Sequence, residues 1–177
     1  AIKVAYDFYM QHPDETLIVV TADHETGGMA LGNSDYTLNL KVLAEQKCSS
    51  DLLSDQLSAL QKEAGKYLTW EQVKEVISKN TGLYTVVEIS TEEDQLLQAA
   101  FEQMMQHQGV EKSLYKDINA LASKALALLN QKSRLGWTSK GHTASAVPVF
   151  AIGVGAERFT GWHDNSEIAP LIYEATL

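Results

Sequence analysis

Apolar and polar positions follow three patterns along this chain, and each predicts a different element. Ile2, Ala5, Tyr6 and Tyr9 recur at helical spacing until Pro13 follows His12, so 1–11 reads as an amphipathic helix. Leu17-Ile18-Val19-Val20 has no polar alternation, the pattern of a strand covered on both faces, and predicts a place in the middle of a sheet. Met29 to Leu31 and Tyr36 to Val42 read as short strands joined by a Gly32-Asn33-Ser34-Asp35 turn, the second with Tyr36, Leu38, Leu40 and Val42 alternating toward one buried face.

From Ser49 the spacing turns helical. Leu52, Leu53, Leu57 and Leu60 fall on one face behind Ser49, Ser50 and Asp51. Thr69-Trp70-Glu71-Gln72 and Ser90-Thr91-Glu92-Glu93 are capping boxes, the first helix closing at Gly82 and the second at Gly109. Leu83 to Ile89 reads as a short strand, and Ser113 to Ser133 as a long helix with Leu114, Ile118, Leu121, Ala125, Leu128 and Leu129 on a broad stripe. Val147 to Ile152 reads as an edge or near-edge strand, because Pro148 cannot donate to a ladder. Asp164 to Glu167 opens a last helix with Ile168, Leu171 and Ile172 turned inward. The resulting organisation is an α/β core from 1–43 and 135–177, with a mainly helical insertion over 44–134.

Composition narrows the functional classes. A 177-residue chain with 45% hydrophobic residues can bury a core. Its net charge of −9, without a basic cluster, excludes a nucleic-acid partner and disfavours an anionic membrane surface. No run is long and apolar enough to span a bilayer. Cys48 is the single cysteine, so no internal disulfide can form and the redox compartment stays open. The helical pattern opens at Ala1 with no capping residue and no signal peptide ahead of it, which leads us to expect a piece of a longer chain.

Chemistry concentrates where the buried run ends. Asp23 and His24 lie just past its carboxyl end, where loops leaving strand tips form ligand crevices. Neighbours on a straight strand face opposite ways, so the two can grip one ion only if the chain turns, and Gly27-Gly28 makes a turn cheap. A second loop, Gly141-His142-Thr143, carries another histidine beside another strand. Arg158 reads as structural, and so does His163, the rival of His142 as a ligand. His12 and His107 sit at helix ends, where a cap or the helix dipole accounts for them. Gly153-Val154-Gly155 lacks the third glycine of a dinucleotide fingerprint.

Val20-Thr21-Ala22-Asp23-His24-Glu25-Thr26-Gly27-Gly28, the Gly141-His142-Thr143 loop with Val147-Pro148-Val149, and Gly153-Val154-Gly155-Ala156-Glu157-Arg158-Phe159 together resemble the carboxyl-terminal half of bacterial alkaline phosphatases. The resemblance covers roughly 1–32 and 136–177. It implies the α/β three-layer αβα sandwich of that family, present only as its C-terminal part, with the helical insertion near the active-site mouth or the subunit interface. It further implies two zinc ions, one on Asp23 and His24 and the other on His142, and hydrolysis of phosphate monoesters through a phosphoserine, releasing inorganic phosphate. The serine nucleophile, the magnesium site, the phosphate-clamping arginine and the other zinc ligands would all precede Ala1, so the missing N-terminal half becomes the expected partner and the chain alone is expected to be inactive. Periplasmic or extracellular location and a homodimer also come from the resemblance alone.

Two other readings stay open. A sister enzyme of the same superfamily, such as a phosphopentomutase, a cofactor-independent phosphoglycerate mutase or a sulfatase, also places Asp-His after a buried strand. A non-catalytic metal-binding or interaction module would use the helical insertion as its working surface.

Overall fold

The structure is a computed structural model that describes residues 1–33, 36–112, 116–139 and 141–175. It is a mixed α/β chain whose residues divide into two compact units, Ala1–Gly28 with Thr138–Leu177, and Met29–Trp137.

The first unit holds helix α1 (Ile2–Tyr9), strands β1 (Leu17–Val20), β2 (Glu25–Thr26), β7 (His142–Thr143) and β8 (Phe150–Gly153), and helix α6 (Asn165–Glu174). β1 pairs antiparallel with β8, from Leu17↔Gly153 to Val20↔Phe150, and β2 pairs antiparallel with β7. Each is a two-stranded sheet among the described residues, so the predicted mid-sheet position of β1 and the three layers of a sandwich are not evident. All four β1 residues are half-buried. β8 starts at Phe150 rather than Val147, because Pro148 has no N–H to offer; its carbonyl instead accepts the Thr21 hydroxyl at 3.2 Å. α6 begins on a capping box: Asp164 accepts the Ser166 amide while Glu167 accepts the Asp164 amide. The Ser166 hydroxyl, and then its amide, hold the Asp164 carboxyl below the usual range. Of the expected inward residues, Ile168 and Leu171 are half-buried and Ile172 is exposed.

This unit has almost no core. Among its described residues only Gly27 and Phe159 are buried. α1 buries none of its side chains, and Ile2, Val4, Phe8 and Met10 are each more than half exposed. Val4, Phe8 and Met10 widen the apolar face beyond the Ile2-Ala5-Tyr6-Tyr9 stripe and leave the Lys3–Asp7 pair as a narrow polar side. An apolar face of that width calls for burial against other elements.

The second unit is the reverse case. Helices α2 (Ser50–Ala64), α3 (Trp70–Thr81), α4 (Thr91–Met105) and α5 (Ala120–Lys132) enclose a core built from Leu53, Leu57, Val73, Ile77, Leu97, Phe101, Leu121 and Leu129. α5 is its centre, with seven buried residues spread around the helix and contacts to α2, α3 and α4. Both predicted capping boxes form, at Thr69 with Gln72 and at Ser90 with Glu93. The buried Ser54, Asn80, Thr81 and Ser133 all find partners, including the Asn119 amide donating to Ser54 Oγ at 2.9 Å.

Three expectations for this unit are corrected. The long helix starts at Ala120, because Asn119 caps it by accepting the Leu121 amide while Ile118–Asn119 (β5) pairs with Val110–Glu111 (β4); Ser113 and Leu114 lie outside the described residues. Leu83 to Ile89 is a turn and not a strand, with Tyr84 at φ 71° and the Val86 and Val87 amides both donating to the Gly82 carbonyl. Met29–Leu31 (β3) pairs with Leu135–Trp137 (β6), so Tyr36 to Val42 has no strand to fold back on and Leu40–Glu45 closes into a 3-10 turn. The turn expected before it includes Ser34 and Asp35, which lie outside the described residues.

Two outcomes follow from this core. Leu129 is fully buried at its centre, so Leu129→Ala is expected to lower the stability of this unit by about 2–5 kcal/mol in denaturant unfolding followed by far-ultraviolet circular dichroism. Between α4 and α5, burial disfavours the Glu93 carboxylate, but Lys132 at 2.7 Å and the Ser90 amide outweigh it and keep its pKa below the usual 4.5. A lowered carboxyl contributes stability that is complete above its unfolded pKa and is lost as pH falls through the folded one. Glu93→Gln is expected to reduce stability at pH 7 and to shrink the loss on going below about pH 5, read from thermal unfolding at a series of pH values.

Candidate metal centre

Past Val20 the chain bends at Asp23 and His24, which breaks strand alternation and lets neighbouring side chains serve one point. Asp23 Oδ1 accepts the His24 amide at 3.0 Å, and Asp23 Oδ2 lies 3.4 Å from His24 Nε2. His24 Nδ1 is 3.0 Å from the Glu25 carbonyl, which can only accept, and 3.2 Å from the Thr26 hydroxyl; a proton on Nδ1 satisfies the carbonyl and turns the Nε2 lone pair outward.

β2 and β7 bring in the second histidine. Their register sets Glu25 opposite Thr143 and Thr26 opposite His142. Facing residues share one side of a ribbon, so Thr26 and His142 point one way while Glu25 and Thr143 point the other. The His24 ring stacks on His142 with centroids 3.6 Å apart and planes at 30°. Asp23, His24 and His142, from loops distant in sequence, therefore meet at one rim of this unit.

Glu25, which the pattern of residues did not single out, underlies that meeting. One of its oxygens accepts the Gly28 amide and the other the Thr143 hydroxyl. The Thr143 bond, then the Gly28 bond, hold its carboxyl below the usual carboxylate range, with His24 and His142 acting in the same direction against slight desolvation. The turn between them needs glycine: Gly27 and Gly28 have φ of 87° and 58°, and a side chain on Gly28 would run into the Thr138 hydroxyl. The only sign of this role in the sequence is an acid placed directly ahead of Thr-Gly-Gly.

Two of the donors are spaced as zinc ligands are. Zinc bonds to nitrogen and oxygen of about 2.0–2.1 Å at tetrahedral angles put neighbouring donors about 3.3–3.4 Å apart, the separation found between Asp23 Oδ2 and His24 Nε2. The Asp23 side chain is 85% exposed and that of His24 36%, which leaves room for further ligands. Among the described residues no group of three or more His, Cys, Asp and Glu gathers closely enough to hold an ion unaided.

The other candidates have local partners. His163 lines a cavity of about 750 Å³ with Asp23, His24 and Trp162, but its Nε2 is 3.1 Å from the Thr160 carbonyl and its Nδ1 4.0 Å from Glu167. Arg158 donates to Glu174 at 3.2 Å. The His12 ring lies against Phe8, and His107, at φ 55°, turns the chain after α4. Burial pushes the Cys48 thiol up, away from reactivity.

A model of the alkaline phosphatase family matches residues 1–177. The chain belongs to that family. It is 29% identical over 175 residues to alkaline phosphatase 4 of Bacillus subtilis, covering 98% of this chain and 32% of that protein. It is 28% identical to alkaline phosphatase 3 of the same organism, over 99% of this chain and 33% of the relative. A crystal structure of the cold-active alkaline phosphatase from a psychrophilic Shewanella species superposes with a TM-score of 0.67 at 29% identity, covering all of this chain and 38% of that one. The chain thus spans about a third of the length of the curated relatives it matches.

The turn at Gly28 gives a direct check on this loop. Gly28→Ala is expected to speed hydrogen exchange at that amide on the order of tenfold, matching the roughly 1–2 kcal/mol that left-handed backbone costs a residue bearing a side chain. Unchanged exchange would mean that the loop does not hold the Glu25 bond.

Proposed function

We propose that this chain contributes part of a two-zinc site for hydrolysis of phosphate monoesters, with Asp23 and His24 serving one ion and His142 the other. The observation that carries the reading is the 3.6 Å stack of His24 on His142, with Asp23 Oδ2 beside His24 Nε2. Ions held by these residues would supply positive charge to stabilise the attacking and leaving oxygens of a phosphoryl displacement. The residues of this chain orient that chemistry: the Glu25 carbonyl holds the His24 tautomer, the Asp23 carboxylate presents one free oxygen, and the exposed His142 faces the same rim.

In this reading the serine nucleophile, the magnesium ligands, the phosphate-clamping arginine and the remaining zinc ligands come from an N-terminal part of the protein outside this chain. The third-length coverage of the relatives supports it, as does the near absence of a core in the first unit. The same exposed apolar surface supports a three-layer αβα sandwich completed by that partner, with β1 at its interior and α1 in a covering layer. The whole-chain family match favours a phosphatase over its sister phosphotransferases and sulfatases. Periplasmic or extracellular location and a homodimer are carried over from the family; no helix of the described residues is long and apolar enough to cross a membrane.

Zinc titration by calorimetry of the complete protein and of its Asp23→Ala, His24→Ala and His142→Ala variants tests the ligand assignment. Each variant is expected to weaken binding and to lower kcat/KM for a phosphate monoester by about a hundredfold or more. Zinc binding indifferent to all three changes would favour an interaction module. Turnover by the isolated chain with zinc would overturn the division between the two parts.

A further inference from the structure

We propose that Glu25 is a positioning residue: its carboxylate, bonded at once to the facing Thr143 hydroxyl and to the Gly28 amide of its own turn, fixes the register that keeps His24 and His142 on one side of the β2–β7 ribbon. Its consequence for metal binding rests on the reading that these histidines are ligands. The register itself does not.

The need for such a device follows from the length of the ribbon. β2 and β7 pair over two residues each, too few for the ladder alone to specify register. A slip of one position would turn the His142 side chain to the opposite side of the ribbon, away from His24. Glu25 and Thr143 are directly opposite each other on the reverse side, so their bond is satisfied in one register only. The Gly28 bond closes the loop from the other end. It holds Glu25 against its own turn, and the turn is held to the second loop by the Gly27 amide on the Gly141 carbonyl at 3.1 Å and the Thr138 amide on the Gly27 carbonyl at 3.0 Å. One carboxylate thus ties the Asp23-His24 bend, the Gly27-Gly28 turn and the His142 strand, without facing the rim where Asp23, His24 and His142 meet.

The test compares the complete protein with its Glu25→Ala, Thr143→Val and Thr143→Ser variants, first free of metal. Nuclear Overhauser contacts between the His24 and His142 rings are expected in the parent chain and in Thr143→Ser, which keeps the hydroxyl, and are expected to vanish in Glu25→Ala and Thr143→Val. Far-ultraviolet circular dichroism monitors folding of the whole protein. Ring contacts that survive Glu25→Ala, or that are absent from the parent chain, overturn the proposal. Zinc titration of the same variants is expected to weaken 10–100-fold for Glu25→Ala and Thr143→Val, and to be restored in Thr143→Ser. Ring contacts that follow this pattern in a chain indifferent to zinc leave the register device standing and remove the metal reading; ring contacts unmoved by Glu25→Ala, with normal zinc binding, do the opposite.

Discussion

The pairing of Glu25–Thr26 with His142–Thr143 governs what this chain can do chemically. His24 and His142 belong to loops separated by the whole helical unit, and no covalent or core constraint sets their distance. Their 3.6 Å stack exists because one short ribbon has one register, and that register exists because Glu25 meets Thr143 across it. A polar bond at a half-buried position can carry this weight because its alternative is a carboxylate and a hydroxyl both turned away from their partners. A two-residue ladder has only this bond and the backbone bonds from Gly27 to Thr138, Ser139 and Gly141 beside it with which to resist a slip.

The two units reach stability by different routes. In Met29–Trp137 a central apolar helix is enclosed by three others, side chains cap the helix starts, and the buried Ser54, Asn80, Thr81 and Ser133 are bonded while the buried Trp70 indole N–H is not, so local preference and tertiary packing largely agree. In the unit that carries Asp23, His24 and His142 the sequence is equally apolar, but apart from Phe159 its described apolar side chains are half-buried or exposed. Hydrophobic burial scales with area removed from water, and α1 removes little. The site therefore rides on hydrogen bonds and turn geometry until something covers α1 and the free edge of β1. Regions held in this way open at low free energy, the range from which binding loops are drawn.

The parts that could be read from the sequence are those fixed by local chemistry. Thr69 with Gln72 and Ser90 with Glu93 announce their helices because a capping box is satisfied within four residues. Asp23, His24 and Gly27-Gly28 announce a turn at a strand end for the same reason. What could not be read depended on partners remote in sequence. Tyr36 to Val42 alternates like a strand, yet β3 already pairs with Leu135–Trp137. Leu83 to Ile89 has strand composition, but Gly82 and the left-handed Tyr84 curl it back on itself. Leu17 to Val20 reads as interior because its side chains are suited to an interior; the four residues can state that suitability but not where the covering surface comes from. Glu25 escaped notice because an acid before a turn is ordinary, and its meaning lies in Thr143 far along the chain.

The pairing of β3 with β6 explains how so large a helical unit can be set between two segments of the first unit in sequence. Met29 lies opposite Trp137, so the unit begins and ends on neighbouring backbone positions. Its two ends are joined by ladder bonds whatever lies between them, and the entropy of closing a longer loop grows only with the logarithm of its length. The unit therefore needs only to fold on its own terms, which its enclosed core allows. The same arrangement leaves its outer surface free to vary without disturbing the β3–β6 ladder at its base, because that pairing, rather than anything in its interior, joins its two ends.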